Sequence, residues 1–252
     1  MSESARRDHY SYTVYSDPAT ARSFDDRRFG GPIGELVAGT QARVITNFIG
    51  RVQGRRILDV GTGTGRAALF LAGGGAIVTA VDASEDMLDV ARERAAARNV
   101  AVAFEQGDAH ALRFSDRSFD VVVSLRVLMH TPGWQQVIAG MCRVADQLVI
   151  FDYPSRRSFA VFQASTRAVL HRLSARTEAY RVFSRRQIAR ELTKNGYRIR
   201  SSHRQFVLPI ALHKAIGSRR LTLWIERRLD HAGLLRVFGS PVTLVAERCA
   251  YS

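Results

Sequence analysis

Apolar residues in this chain alternate between short unbroken runs and stretches where they recur every three or four positions, a pattern that predicts strands exchanging with helices. Ile57, Leu58 and Val60, then Ile77–Val81, Phe119–Leu125 and Gln147–Asp152, have the continuous apolar character of strands covered on both faces. Phe104–Ala109 closes a further strand ahead of Phe119. Helical spacing fills the intervals. Arg66–Ala72 comes first, followed by a helix with Ser84 as N-cap, Glu85 and Asp86 in its first turn and arginines late, as the helix dipole favours. Trp134–Ala145 starts after Pro132 and Gly133, and Arg185–Asn195 is capped by Ser184 and stopped by Gly196. Extended structure resumes at Tyr197, and Pro241–Cys249 alternates as a last strand. Helices between five successive strands imply a parallel sheet with right-handed crossovers.

Three segments fall outside this minimal pattern. Residues 10–50 include a helical stretch from Gly34 to Ile49. The 31-residue connection from Tyr153 to Phe183 is too long for a bare loop. Within it Phe159, Phe162, Thr166, Val169, Leu170 and Leu173 fall at helical spacing, which predicts a helix with one apolar face across the carboxyl edge of the sheet. Between residues 209 and 240, Ser218 caps a helix in which Leu221, Trp224, Ile225, Leu229 and Ala232 share one face, while Arg219, Arg220, Arg227 and His231 lie elsewhere.

Composition adds three constraints. A chain of 252 residues, 46% of them apolar, buries a full core as one doubly wound domain. No stretch of 18 apolar residues is present and the first residues lack the apolar stretch of a signal peptide, so a cytoplasmic location is expected. Cys142 and Cys249 stand far apart with no C-x-x-C, which predicts two ordinary buried thiols, no disulfide framework and no metal site. Charge is uneven along the chain. Residues 57–152 hold 8 Arg against 12 acidic residues, whereas residues 153–252 hold 20 basic against 5 acidic, a balance of +15 in a chain of net +14. That tail is either a solvated arginine face or a surface for an anionic partner such as a phosphorylated substrate, a lipid headgroup or nucleic acid.

The chemistry concentrates at predicted strand ends. The first strand runs into Gly61-Thr-Gly-Thr-Gly65, and Asp82 closes the next strand twenty-one positions beyond Gly61. Glycines there allow a tight turn, close approach of backbone to a ligand and close packing of the following helix. A carboxylate at the Asp82 position can accept from two adjacent ribose hydroxyls. The G-x-G-x-G spacing is tighter than the G-x-G-x-x-G of dinucleotide sites and suits a ligand without pyrophosphate. Asp108, at the third strand end, is placed to accept from an adenine amine.

With these three features the chain resembles the class I S-adenosylmethionine-dependent methyltransferases over roughly residues 40 to 250. The resemblance implies an α/β, Rossmann-like, doubly wound sheet of seven mostly parallel strands, the last antiparallel, with helical lid and cap segments. It divides residues 1–252, a single methyltransferase domain, into N-terminal lid helices (1–54), a cofactor half (55–153), helical caps (154–183 and 209–240) and the end of the sheet (184–208 and 241–252). It implies S-adenosylmethionine as cofactor, with Asp59, Gly61, Gly63 and Gly65 beside its methionyl part, Asp82 on the ribose and Asp108 on adenine. Arg28 in the lid is available for the cofactor carboxylate, or belongs to a mere outer helix. His130 follows the fourth strand, in a region that faces the transferable methyl in relatives; it is the candidate general base, because imidazole titrates near working pH, or a turn residue bonded to Thr131 and Pro132. Asp152 and Tyr153, at the fifth strand end, are candidates for orienting the acceptor. Leu125-Arg126-Val127-Leu128 stands where relatives acting on planar nitrogens carry N/D-P-P-Y/F, so methylation of amino-purines or cytosine is disfavoured.

The expected acceptor is therefore a small or lipid-like molecule methylated at oxygen or carbon. The helix after Ser218 raises peripheral contact with an anionic membrane. An RNA-binding protein or RNA methyltransferase would also use the basic tail, although no aromatic RNA platform is visible. A nicotinamide-dependent oxidoreductase would share the glycine loop and Asp82 but leaves Asp108 and the glycine spacing unexplained.

Overall fold

The computed structural model describes residues 29–158 and 180–249. Helix α1 (Gly31–Ile49) precedes β1 (Arg56–Val60), α2 (Arg66–Gly73), β2 (Ile77–Asp82), α3 (Glu85–Ala97) and β3 (Ala103–Gln106). Then come β4 (Phe119–Ser124), a single 3-10 turn (Leu128–His130), α4 (Trp134–Val144) and β5 (Ala145–Tyr153). The remainder is α5 (Arg185–Lys194), β6 (Tyr197–Phe206), α6 (Ile210–Ile216), α7 (Arg219–His231), α8 (Leu234–Phe238) and β7 (Ser240–Arg248).

Side-chain alternation along the central strands explains the layering. Ile57, Val121, Val123, Ile150 and Val245 turn to one face, against Ile45 and Ile49 of α1 and Ala68 and Leu71 of α2. Leu58, Val122, Val149, Phe151 and Leu244 turn to the other, against Val137, Ile138 and Met141 of α4 and Ile188 and Leu192 of α5. Both faces are covered, which is why these strands read as unbroken apolar runs. Each such side chain contributes roughly 1.5–3 kcal/mol relative to an exposed one. Ser124 is a polar residue in this setting, and its hydroxyl donates to the Val60 carbonyl at 2.9 Å.

The strand order is β3-β2-β1-β4-β5-β7-β6. Pairs β1–β2, β1–β4, β2–β3 and β4–β5 are parallel, and β7 lies antiparallel between β5 and β6, as the resemblance implies. Serine caps predicted at three helix starts are present: Ser84 accepts from Met87 N, Ser184 from Gln187 N and Ser218 from Leu221 N.

The structure corrects several boundaries. Strand β3 ends at Gln106, opposite Asp82 at the end of β2, and Gly107 N donates the last bond between the two, to the Asp82 carbonyl at 2.9 Å. Asp108 therefore lies in the following loop. The cap before β7 is three helices where one was expected. Its long helix, α7, is turned by about 100°, the angle of one residue: Thr222 and Glu226 face inward, and Leu221 and Trp224 face solvent. The cause is Glu226, which is drawn inward by the N–H groups of Val207 and Leu208 and by His213. Cys142 is a buried thiol, pushed up to about 12 by that burial, but Cys249 is exposed. The expected helix from Phe159 to Leu173 lies outside the described residues, as does Arg28.

Candidate active site

Strand order reverses between β1 and β4, so the loops leaving these strands diverge and open a cleft at the carboxyl edge of the sheet. Gly61, Gly63 and Gly65 have φ of +72°, +54° and +80°, values that side chains rarely tolerate. A Cβ on Gly61 would lie 2.3 Å from Cγ2 of Val127 in the β4 loop, and one on Gly65 would lie 2.9 Å from the Ala91 methyl of α3. These two glycines let the loop fit between its neighbours. Gly63 differs, because nothing lies within 4 Å of the position a Cβ would take, and it borders the open cleft. The loop is tied down by hydrogen bonds from Gly61 N and Thr62 N to the Val81 carbonyl, at 2.8 and 3.1 Å.

Two carboxylates lie beside that loop. Asp82 ends β2, and its oxygens accept from Gly63 N at 2.7 Å and from Ser84 N at 3.0 Å. Each oxygen has a second lone pair, and the residue lines the cleft. Burial raises its pKa above the ordinary carboxylate value, against the opposing pull of the Ser84, Gly63 and Ala83 N–H groups. Asp59 is 2% exposed and accepts from the Thr62 hydroxyl at 2.7 Å. Burial, reinforced by the charge of Asp82, pushes its carboxyl up to about 6 despite hydrogen bonds from Thr62 and Ala68.

Beyond β3, Gly107, Ala109 and His110 line the cleft. The Asp108 carboxylate accepts from His110 N at 2.8 Å, closing an Asx turn, and stands 2.7 Å from His110 Nδ1. In the same lining, His130 closes the 3-10 turn after β4 and is buried. Its ring meets Tyr180 edge to face at 6.1 Å, and Arg181 N donates to the Met129 carbonyl at 3.0 Å, which ties residues 180–183 to this turn.

Asp152 and Tyr153 do not join the lining. Asp152 is buried below the β4 loop, where it accepts from Arg126 N and holds that residue at φ +63°. Tyr153 is packed in the core against Phe183, with ring centroids 6.2 Å apart. The lining also includes Ala38, Gln41, Ala42 and Ile45 of α1, Phe29 and Arg66, with the Arg66 guanidinium 3.5 Å above the Phe29 ring. Sequence reasoning passed over Phe29, Gln41, Arg66 and Arg126, whose positions depend on contacts between elements. His110 did carry a local signal, since Asp108-Ala-His110 has the spacing of an Asx turn.

Comparison with known proteins agrees with this fold. The protein-family model "Methyltransferase domain" matches residues 57–147. The demethylmenaquinone methyltransferase of Tropheryma whipplei is 30% identical over 192 residues, covering 69% of this chain and 79% of that protein. The chain belongs to the class I S-adenosylmethionine-dependent methyltransferases. The Deinococcus radiodurans demethylmenaquinone methyltransferase is 37% identical over 129 residues, covering 48% of this chain, and the match spans only 54% of that relative's length. A ubiquinone biosynthesis O-methyltransferase of Coxiella burnetii is 36% identical over 87 residues, 34% of this chain and 37% of that relative. Among solved structures, the magnesium protoporphyrin IX methyltransferase of Synechocystis PCC 6803 with bound S-adenosylhomocysteine is similar at TM-score 0.65 and 20% identity, covering 94% of this chain and 99% of that one. A [4+2]-cyclase is similar at TM-score 0.59 and 20% identity, covering 83% and 81%. The fold by itself therefore does not fix the reaction.

Proposed function

We propose that this protein transfers a methyl group from S-adenosylmethionine to a small, lipid-like acceptor, at oxygen or carbon. One observation carries the reading: the open glycine Gly63 and the carboxylate Asp82, joined by a 2.7 Å hydrogen bond, border the same cleft as His130. A nucleoside ligand suits that edge, because Asp82 borders the cleft and can accept from ribose while its protein partners hold it still. Asp59, Gly61 and Gly65 shape the methionyl side, the loop of Asp108 takes adenine, and Arg28 is assigned to the cofactor carboxylate.

Bound in this way, the cofactor supplies an activated methyl on a sulfonium that is its own leaving group. The chain then has to hold the acceptor atom in line and exclude water. His130, in the lining of the same cleft, accepts the acceptor's proton where the reactive form must lose one. Asp152 contributes by fixing Arg126 at the cleft margin, and Tyr153 supports that margin from the core, so both act through other residues. The names of relatives, which refer to demethylmenaquinone, ubiquinone biosynthesis and magnesium protoporphyrin IX, support an acceptor of this size and character.

Calorimetry with S-adenosylmethionine, S-adenosylhomocysteine and NADH tests the cofactor, and mass spectrometry of quinol, phenol and lipid-extract mixtures tests the acceptor. Binding of both adenosyl ligands, rejection of NADH and appearance of a methylated product are expected. NADH binding in preference, or adenosyl binding with no methyl gained by any acceptor, would overturn the proposal.

A further inference from the structure

Helices α6, α7 and α8 carry a surface that the domain does not use. Seven large apolar residues are exposed among the described residues, and five of them belong to these helices: Leu212, Leu221, Trp224, Val237 and Phe238. Trp224 is the most exposed of the five, at 57%. With Thr222 and Glu226 inward, the 100° step of a helix brings Leu221, Trp224, Arg220, Arg227 and Arg228 together on the outward side of α7. The guanidinium of Arg228 lies 5.5 Å from the Trp224 ring centre. The acidic residues of α7 are Glu226, which faces inward, and Asp230, which is exposed one turn beyond Glu226 and Arg227. Lys214, Arg219 and Arg236 add positive charge nearby.

A merely solvated arginine face would not need Trp224 and Phe238 in water. A nucleic-acid surface would account for arginines and aromatic rings, but stacking makes no use of Leu212, Leu221 and Val237. Aliphatic and aromatic side chains mixed with arginines match the headgroup level of a bilayer, where apolar groups enter the acyl boundary and cations meet phosphate. We propose that α6–α8 form a docking face for an anionic phospholipid surface.

Its position relative to the cleft gives this face a purpose. Leu36 and Val37 of α1 pack against Phe206, Ile210 and Leu223 on the cap side, while Ala38, Gln41, Ala42 and Ile45 of the same helix line the cleft. Among the described residues, α1 bridges the docking helices and the site. A docked protein would meet a lipid-like acceptor at the bilayer, and this consequence, unlike docking itself, rests on the proposed function.

The test is co-sedimentation of the full chain with vesicles of equal parts phosphatidylglycerol and phosphatidylcholine, and with phosphatidylcholine alone, at low and high salt. Binding to the anionic vesicles at low salt and release at high salt are expected. Replacing Arg220, Arg227 and Arg228 together by Gln should weaken partition about 100-fold. Leu221→Ser with Trp224→Ser should weaken it roughly tenfold at unchanged charge. These positions lie outside the cleft, so both variants should bind S-adenosylmethionine as the parent does. Absence of binding at low salt, binding indifferent to the serine pair, or displacement of the vesicles by an equal charge of RNA would each overturn the proposal. Docking without any methyl transfer would count against the proposed function alone.

Discussion

In the cleft, Asp82 accepts from Gly63 N and Ser84 N yet still borders open space, whereas in the cap Glu226 accepts from Val207 N at 2.8 Å, Leu208 N at 3.0 Å and His213 Nε2 at 2.8 Å and is enclosed. Both are carboxylates removed from most solvent, and both fasten chain ends that would otherwise separate. They differ in where they stand. Glu226 is enclosed among the protein's own donors and so acts as a pin between β6, α6 and α7. Asp82 keeps acceptor capacity at a surface lined by glycine, where backbone leaves room for a ligand. A buried carboxylate is therefore read by its remaining partners more than by its burial.

The largest expected effect comes from removing the pin. Glu226→Ala leaves two buried N–H groups and His213 without their acceptor, at a cost of about 3–5 kcal/mol, so the melting temperature should fall by roughly 10 °C. Calorimetry on the folded fraction should still give parent affinity for S-adenosylmethionine; a loss of affinity would show that cap and cleft are one unit.

Asp59 provides a pH-dependent version of the contrast. Its folded pKa, about 6, is above that of an unfolded aspartate near 4, so its contribution to stability is fully present below about pH 4 and lost as pH rises through 6. The shift corresponds to roughly 3 kcal/mol. Asp59→Asn should therefore gain on the parent in melting temperature as pH rises from 4 to 7, and parallel melting curves at every pH would refute the assignment.

His130→Asn should lower kcat by about 100-fold with little change in cofactor affinity, which steady-state kinetics and calorimetry separate. Retention of most turnover would reduce His130 to a residue that closes its turn. Asp82→Ala should weaken S-adenosylmethionine by tens to a hundredfold, about 2–3 kcal/mol, with a smaller fall in melting temperature than Glu226→Ala. If instead it unfolds the protein while Glu226→Ala does not, the comparison is reversed. The smallest effect is expected from Asp108→Ala, about 1 kcal/mol and equal for S-adenosylmethionine and S-adenosylhomocysteine, since both share adenine and the loop also depends on His110.

Much of this was legible in the chain alone. Apolar runs identified the strands because each central strand is covered on both faces, and Ser84, Ser184 and Ser218 marked helix starts because an N-cap is a contact within four residues. Gly61 to Gly65 and Asp82 announced the cleft for the same reason: turn geometry and strand ends are local. The facing of α7 was not local. Its periodicity allowed either side to turn inward, and the choice fell to Glu226 meeting Val207, Leu208 and His213, residues 13 to 19 positions away. Asp152, read from its strand end as an acceptor contact, instead meets Arg126 N across the sheet. Sequence determined which strands form and where the glycine loop falls; the tertiary structure decided which polar groups satisfy one another, because a buried hydrogen bond fixes both of its partners at once and neither neighbourhood records the other.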